Sequence, residues 1–141
     1  MVIVVTGGSG YIGSLLIRRL PFAKGFEGGT VRIFDNMASD KHHSLFDLPE
    51  SGRYEFVLGD LTKPDDLKRA LKDAELVFDL AGITSVPLSF KLSEETRRVN
   101  VEGARSLLAV ALSSGVERIV YSSSAAVYGD VSGLVDETHP C

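Results

Sequence analysis

A glycine-rich turn between an apolar run and a helical pattern constrains the fold of this chain more than any other feature. The run Val2–Val5 is β-branched and uninterrupted, which predicts a strand buried on both faces. The segment TGGSGYIG follows at 6–13. Apolar residues then recur at helical spacing before Pro21, namely Ile12, Leu15, Leu16 and Leu20. A strand, a glycine turn and a helix in this order let a phosphate group approach the backbone at the helix N-terminus.

The spacing of the glycines and of one acid predicts which phosphate compound binds there. The glycines fit two registers, G-x-G-x-x-G at Gly8, Gly10 and Gly13 or G-x-x-G-x-x-G at Gly7, Gly10 and Gly13. A second apolar run, 31–34, leads to Asp35, about 20 residues after the last glycine, as in dinucleotide-binding proteins. A carboxylate at this position accepts hydrogen bonds from a ribose and repels a 2′-phosphate. We therefore predict NAD as the cofactor rather than NADP; the alternative is a glycine turn that only packs.

Composition narrows the class of protein. The chain has 141 residues, of which 44% are hydrophobic and 24% charged, so a single folded domain over 1–141 is expected. The net charge of −4 and the pI near 5.3 argue against nucleic acid or an anionic membrane as a partner. The sequence has no apolar run of transmembrane length and no basic leader, and its one cysteine, Cys141, excludes an internal disulfide. These features predict a cytoplasmic protein.

Strand and helix patterns alternate along the rest of the chain. Further strands are predicted at 54–58, 76–80 and 119–122, with helices capped by Thr62 and by Ser93, the second running to Gly115. This alternation predicts a Rossmann-type, doubly wound parallel α/β sheet of about five strands in the order 3-2-1-4-5. Residues 36–53 are predicted to form a surface loop. Its adjacent His42 and His43 have no third spaced ligand, so no metal site is expected.

Six sequence blocks in order resemble the extended short-chain dehydrogenase/reductase family, and most closely its NAD-dependent nucleotide-sugar epimerases and dehydratases. The blocks are TGGSGYIG at 6–13, FDN at 34–36, GDL at 59–61, LAG at 80–82, NVEG at 100–103 and SSSAAVYG at 122–129. The resemblance covers nearly the whole chain. It implies the G-x-x-G-x-x-G register and NAD as the cofactor.

The resemblance also implies a set of site residues. The cofactor-binding set comprises Gly7, Gly10, Tyr11, Ile12, Gly13, Asp35, Asn36, Asp60, Leu61, Leu80, Ala81, Gly82, Asn100 and Ser122, and Ser124 is the catalytic serine. Asp60 would accept the adenine amino group, and Asn100 would brace the active-site backbone or a water. The residues themselves leave alternatives open: an aspartate that only forms a turn, an exposed helical asparagine and a serine that only closes a strand.

One departure from the family pattern limits the predicted activity. The family's proton transfer uses a Tyr-x-x-x-Lys pair, but the four tyrosines of this chain are followed four positions later by Leu15, Leu58, Ala125 and Ser132. The resemblance places that pair, the last strands and a C-terminal substrate domain beyond Cys141. We therefore predict the NAD-binding part of a nucleotide-sugar epimerase or dehydratase, inactive by itself. A free-standing NAD-sensing or regulatory module and a remnant without function are the alternatives.

The resemblance implies two partners. A nucleotide-sugar substrate is expected only together with the C-terminal part. A second copy of the chain is expected to pair along the long helix at about 93–114, which makes a homo-oligomer.

Overall fold

The computed structural model describes residues 1–141 and contains a five-stranded parallel sheet with helices on both faces. The strands are β1 (Val2–Thr6), β2 (Thr30–Asp35), β3 (Arg53–Leu58), β4 (Leu76–Asp79) and β5 (Arg118–Tyr121). They lie in the order β3-β2-β1-β4-β5, and every neighbouring pair is parallel. The predicted fold class and strand order are therefore confirmed. The order reverses between β1 and β4, which is the point where sheets of this kind bind ligands.

Five α-helices cover the sheet. They are α1 (Tyr11–Arg19), α2 (Pro64–Ala70), α3 (Val86–Lys91), α4 (Ser93–Arg97) and α5 (Ala104–Ser114), and a π-helical turn, Arg98–Gly103, joins α4 to α5. On one face α1 packs through Ile17 against Ile3 and Val5. On the other face α2 and α5 pack through Leu67 and Leu107 on a cluster that includes Val4. Successive residues of β1 thus pack into the apolar clusters on opposite faces of the sheet, which explains its uninterrupted apolar run.

The buried face of α1 differs from the prediction. Leu16 and Leu20 pack against the core, but Ile12 is 65% exposed and Leu15 is 57% exposed. The buried positions in the helix are Gly13 and Ile17. Because Gly13 packs against the backbone of the glycine turn, it sets the rotation of the helix about its axis and turns Ile12 away from the sheet. Helical periodicity alone could not include a glycine in the apolar face.

The helix starts also differ from the prediction. The N-cap of α2 is Lys63 and that of α4 is Leu92, and neither Thr62 nor Ser93 forms a capping hydrogen bond. Pro64 explains the first case, because proline disfavours the helical conformation in the residue before it, and Lys63 is extended. The short helix α3 was not predicted; its N-cap Ser85 accepts a hydrogen bond from the Leu88 N–H.

The end of α5 agrees with the prediction, because Gly115 adopts the left-handed conformation with φ 76°. The loop 36–53 contains one short 3-10 turn, His42–Leu45. None of the helices combines the length and the apolar character that crossing a lipid bilayer requires.

Candidate functional site

Two adjoining cavities lie at the carboxyl edge of the sheet, beside the switch point between β1 and β4. The larger has a volume of about 790 Å³ and the smaller about 190 Å³, and both are lined by residues 80–83. The larger is also lined by Tyr11, Ile12, Gly13, Asn100, Ser122 and Ser124. The smaller is also lined by Gly7, Asp35, Asn36, Asp60 and Leu61. Of the predicted site residues only Gly10 lines neither cavity; it is the N-cap of α1.

The glycine turn brings three backbone segments closer together than any side chain would allow. Gly7 has φ +63°, and a Cβ on it would lie 2.7 Å from the Leu80 carbonyl oxygen. A Cβ on Gly13 would lie even closer to the Gly7 carbonyl oxygen, and 2.8 Å from the Gly8 Cα. A real Cβ cannot approach backbone atoms so closely, so these positions require glycine. By contrast, a Cβ on Gly10 would meet only the Gly7 oxygen, at 3.1 Å.

The N-terminus of α1 is open to an anion. The first hydrogen bond inside the helix runs from the Ser14 N–H to the Gly10 carbonyl, at 2.9 Å. The N–H groups of Tyr11, Ile12 and Gly13 precede it and have no acceptor within the helix. No side chain caps this end and its first turn contains no acidic residue. Since the helix dipole adds positive potential here, this end of α1 can hold a phosphate.

Asp35 lies at the end of β2 and is hydrogen-bonded to the glycine turn. Its Oδ2 accepts hydrogen bonds from the Ser9 N–H at 2.9 Å and from the Ser9 hydroxyl at 2.7 Å. Its Oδ1 accepts from the Met37 N–H at 2.8 Å. The carboxylate is therefore held rigidly at the smaller cavity, with acceptor capacity left on Oδ1. Sequence reasoning missed Ser9, although a small polar residue inside the glycine motif is a signal for such a contact.

Asp60 borders the smaller cavity and also forms a turn. Its Oδ1 accepts hydrogen bonds from the Thr62 N–H at 2.8 Å and from the Thr62 hydroxyl at 2.7 Å. Arg98 donates to the same hydroxyl oxygen at 2.8 Å. Burial raises the pKa of Asp60, but the Thr62 hydrogen bonds and the charges of Arg98 and Lys63 outweigh it and lower the pKa below the usual value. The turn considered as the alternative is thus present, and the charged carboxylate of Asp60 lies at the smaller cavity.

Thr6 and Asp79 join the ends of β1 and β4, and Asp79 lines the larger cavity. Both residues are buried, and the Thr6 hydroxyl donates to Asp79 Oδ1 at 2.6 Å. The same hydroxyl oxygen accepts hydrogen bonds from the Leu80 N–H at 3.1 Å and the Ala81 N–H at 3.0 Å. This arrangement sets the path of residues 80–82, which follow β4 and line both cavities. Sequence reasoning did not single out either residue.

Asp79 yields a testable prediction about stability. Burial raises the pKa of its carboxyl above the usual aspartate value, against the opposing effect of the Thr6 hydrogen bond. A carboxyl with a raised folded-state pKa contributes full stability below its unfolded pKa, and that contribution falls as the pH rises through the folded pKa. Asp79→Asn is therefore expected to resist urea better than the unchanged chain at neutral pH, with the difference shrinking toward about pH 4, where an unfolded aspartate titrates. Urea unfolding across this pH range measures it.

The exposed Asp130 provides the control for that measurement, since Asp130→Asn makes the same change outside both cavities. An Asp79→Asn chain less stable than the unchanged one at every pH would contradict the prediction, because it would show that the buried Asp79 charge does not destabilise the fold.

Asn100 braces the loop after β4. It lies in the π-helical turn, and its side-chain nitrogen donates to the Ile83 carbonyl at 2.9 Å while its Oδ1 accepts from the Ile83 N–H at 2.8 Å. Turns of this kind are frequent at functional sites. The exposed helical asparagine considered as the alternative is therefore not what the structure contains. Gly103, at the end of the same turn, packs against Leu61.

The serines after β5 line the larger cavity. Ser122 donates its N–H to the Asp79 carbonyl at 3.2 Å. Ser124 caps the 3-10 turn Ala125–Tyr128, where its hydroxyl oxygen accepts a hydrogen bond from the Ala126 N–H at 3.2 Å. The turn role considered as the alternative is thus present, and Ser124 also lines the cavity.

Several further lining residues escaped sequence reasoning because they belong to no motif; most lie in loops, but Glu95 lies in α4, Val99 in the π-helical turn and Tyr121 at the end of β5. They are Ala38, Ser39, Lys41, Ile83, Thr84, Glu95, Val99 and Tyr121.

Comparison with known proteins agrees with this geometry. The model of the NAD dependent epimerase/dehydratase family matches residues 3–141. The chain belongs to this family. UDP-glucose 4-epimerase 3 of Oryza sativa subsp. japonica is 35% identical over 144 residues, covering 99% of this chain and 37% of the rice protein. The 3-beta-hydroxysteroid dehydrogenase of Mycolicibacterium neoaurum is 33% identical over 144 residues, covering 98% of this chain and 36% of that protein.

Solved structures of family members share the fold. The UDP-glucose 4-epimerase of Thermus thermophilus, in complex with NAD, superposes with a TM-score of 0.83 at 32% identity, covering 99% of this chain and 44% of that one. The chain therefore spans less than half the length of these three relatives. The family is NAD-dependent by its description.

Proposed function

We propose that this chain binds NAD and serves as the cofactor-binding domain of a nucleotide-sugar epimerase or dehydratase. The observation that carries the proposal is the pair of adjoining cavities, of which the larger is lined by the open N-terminus of α1 and the smaller by Asp35. Glycines shape the place where a diphosphate would approach the backbone. The site thus offers separate regions for an adenosine, a diphosphate and a nicotinamide ribose.

The residues fit the cofactor in three places. Asp35 would accept hydrogen bonds from the adenosine ribose, and Asp60 would accept from the adenine amino group. The N–H groups of Tyr11 and Ile12 would hold the diphosphate, and Ala81 and Gly82 are small enough for close approach of a ribose to the strand end. When bound, NAD supplies the acceptor for a hydride from the substrate.

We propose a nucleotide sugar as the substrate because several hydroxyl side chains line the larger cavity. These side chains include Thr84, Ser122, Ser123 and Ser124, and hydroxyl groups suit a hydroxylated sugar better than an apolar steroid. Ser124 would hydrogen-bond the sugar hydroxyl at the carbon that loses its hydride. The relatives named for UDP-glucose support this class. A cytoplasmic location stays a prediction from the sequence.

Calorimetric titration of the chain with NAD tests the proposed cofactor. Saturable binding of one NAD per chain is expected. Absence of NAD binding at millimolar concentration would contradict the proposal.

We also propose self-association through the helical segment 93–114, which consists of α4, the π-helical turn and α5. Val101, Leu108 and Leu112 are exposed, Leu112 by 82%. They lie on one side of the helix, because residues about seven and four positions apart return to the same face. Such an apolar stripe on a helix indicates a protein interface. The proposed partner is a second copy of the chain.

Leu112→Glu is expected to shift the chain from dimer to monomer in sedimentation velocity, because a charge would be buried without a partner. Leu134→Glu is the control, since Leu134 is fully exposed outside this helix. A monomeric unchanged chain at high concentration would contradict self-association.

A further inference from the structure

Lys41 is the only basic side chain that lines the larger cavity. It lies there together with Tyr11, Ile12 and Gly13, the first residues of α1. Its Nζ is 4.5 Å from the centre of the Tyr11 ring, a cation–π contact. A positive charge thus stands beside the helix end whose N–H groups have no acceptor.

The position of Lys41 is built by contacts from two other segments. The Ser44 N–H donates to the Lys41 carbonyl at 2.9 Å, and the Ser44 hydroxyl donates to the Ser9 carbonyl in the glycine turn at 2.8 Å. Arg18 of α1 donates to the Ser44 carbonyl at 2.8 Å and to the Phe46 carbonyl at 2.6 Å. The short turn His42–Leu45 is therefore tied to the glycine turn and to α1, and Lys41 stands at its start.

The charge of Lys41 has no partner of opposite sign in the chain. No carboxylate oxygen lies within 4.0 Å of its Nζ, and the adjacent Asp40 pairs instead with His42 at 3.0 Å. The ammonium contacts the Tyr11 ring instead of a carboxylate. An aromatic face holds an ammonium more weakly than a phosphate does, because a phosphate brings full charge and hydrogen-bond acceptors. Lys41 is thus free to pair with an anion.

We propose that Lys41 pairs with the diphosphate of the bound dinucleotide and makes the site selective for diphosphate ligands over the bare nucleoside. The inference rests on the proposed function, which places the diphosphate at the N-terminus of α1. Backbone N–H groups would contact one side of the diphosphate and the Lys41 ammonium another. Tyr11 holds the ammonium near that place in the free protein.

Titrations with NAD, ADP and adenosine test the role of Lys41. In Lys41→Gln we expect the affinities for NAD and ADP to fall about tenfold, because a charge-assisted contact is lost at a partly exposed site. The affinity for adenosine should stay within about twofold, since adenosine has no phosphate. Raising the salt to about 0.2 M should weaken ADP binding to the unchanged chain more than to Lys41→Gln. Lys41→Arg should retain most of the affinity.

The control is Lys24→Gln, since Lys24 is exposed and lines neither cavity. Equal ADP affinities for Lys41→Gln and Lys24→Gln would overturn the inference. So would an equal loss of adenosine and ADP affinity, because that result indicates a displaced loop rather than a lost charge. Failure of the proposed function looks different: the unchanged chain would not bind NAD, while ADP binding would still report on Lys41. Binding of neither NAD nor ADP would overturn both.

Discussion

NADP is expected to bind this chain at least about 100-fold more weakly than NAD, because a 2′-phosphate would face the Asp35 carboxylate, and like charges in contact cost several kcal/mol. The carboxylate cannot simply turn away. Three hydrogen bonds, two from Ser9 and one from the Met37 N–H, hold it in place. Because the carboxylate is held in place, it cannot move to relieve its repulsion of the 2′-phosphate. Calorimetry with both cofactors measures the ratio.

Asp35→Asn and Asp35→Ala should lower the ratio of NAD affinity to NADP affinity to about tenfold or less, since either change removes the negative charge. Asn keeps an oxygen that can accept from Ser9, so it separates the loss of charge from a disturbed turn. The control is Glu117→Gln, which removes a charge before β5, at the amino edge of the sheet. Equal affinities of the unchanged chain for NAD and NADP would contradict the role given to Asp35.

Gly13→Ala is expected to abolish NAD binding and to lower the free energy of unfolding by about 1–3 kcal/mol, as overpacking does. Inside a helix alanine normally stabilises by about 1 kcal/mol relative to glycine. Here its Cβ would lie 2.8 Å from the Gly8 Cα and closer still to the Gly7 oxygen. Both contacts are with backbone, so α1 would have to move away from the turn. Urea unfolding and NAD titration measure the two effects.

Gly28→Ala is the control for Gly13→Ala, because it introduces backbone strain without a close contact for the added Cβ. Gly28 has φ +72°, and a Cβ added there would meet nothing within 4 Å, so alanine should cost about 1 kcal/mol through its backbone conformation alone. NAD affinity should not change. If Gly13→Ala were as stable as the unchanged chain and bound NAD equally well, the close packing of α1 on the glycine turn would be refuted.

The sequence predicted the fold because its strongest signals are local. β-Branched runs, a glycine turn and helical spacing identify strands and helices from neighbouring residues alone. Their alternation restricts the topology, since crossovers between parallel strands are right-handed and short. Parallel strands also bring their carboxyl ends to one edge. Asp35 ends β2, Asp60 and Ser124 follow β3 and β5, and all three line the cavities at that edge.

Local patterns were insufficient where a helix meets another segment. Ile12 and Leu15 fit the apolar face of α1 by spacing, yet both are exposed. The rotation of α1 depends on Gly13, which contributes no hydrophobicity and packs only because it lacks a side chain. Thr62 fits an N-cap by residue type, but Pro64 delays the helix start and leaves Thr62 to bond with Asp60.

The sequence by itself determined the strand order, the glycine turn and the residue types at the carboxyl edge, because each depends on neighbours along the chain. Only the tertiary structure decided how the site is braced. Ser9 bonds with Asp35, Thr6 with Asp79, and Asn100 with Ile83, pairs separated by 26, 73 and 17 residues. It also decided that Lys41 lies beside the N-terminus of α1, because Ser44 and Arg18 tie the turn after Lys41 to the glycine turn and to α1. Contacts between distant residues leave no periodicity in the sequence, so the packed chain alone establishes them.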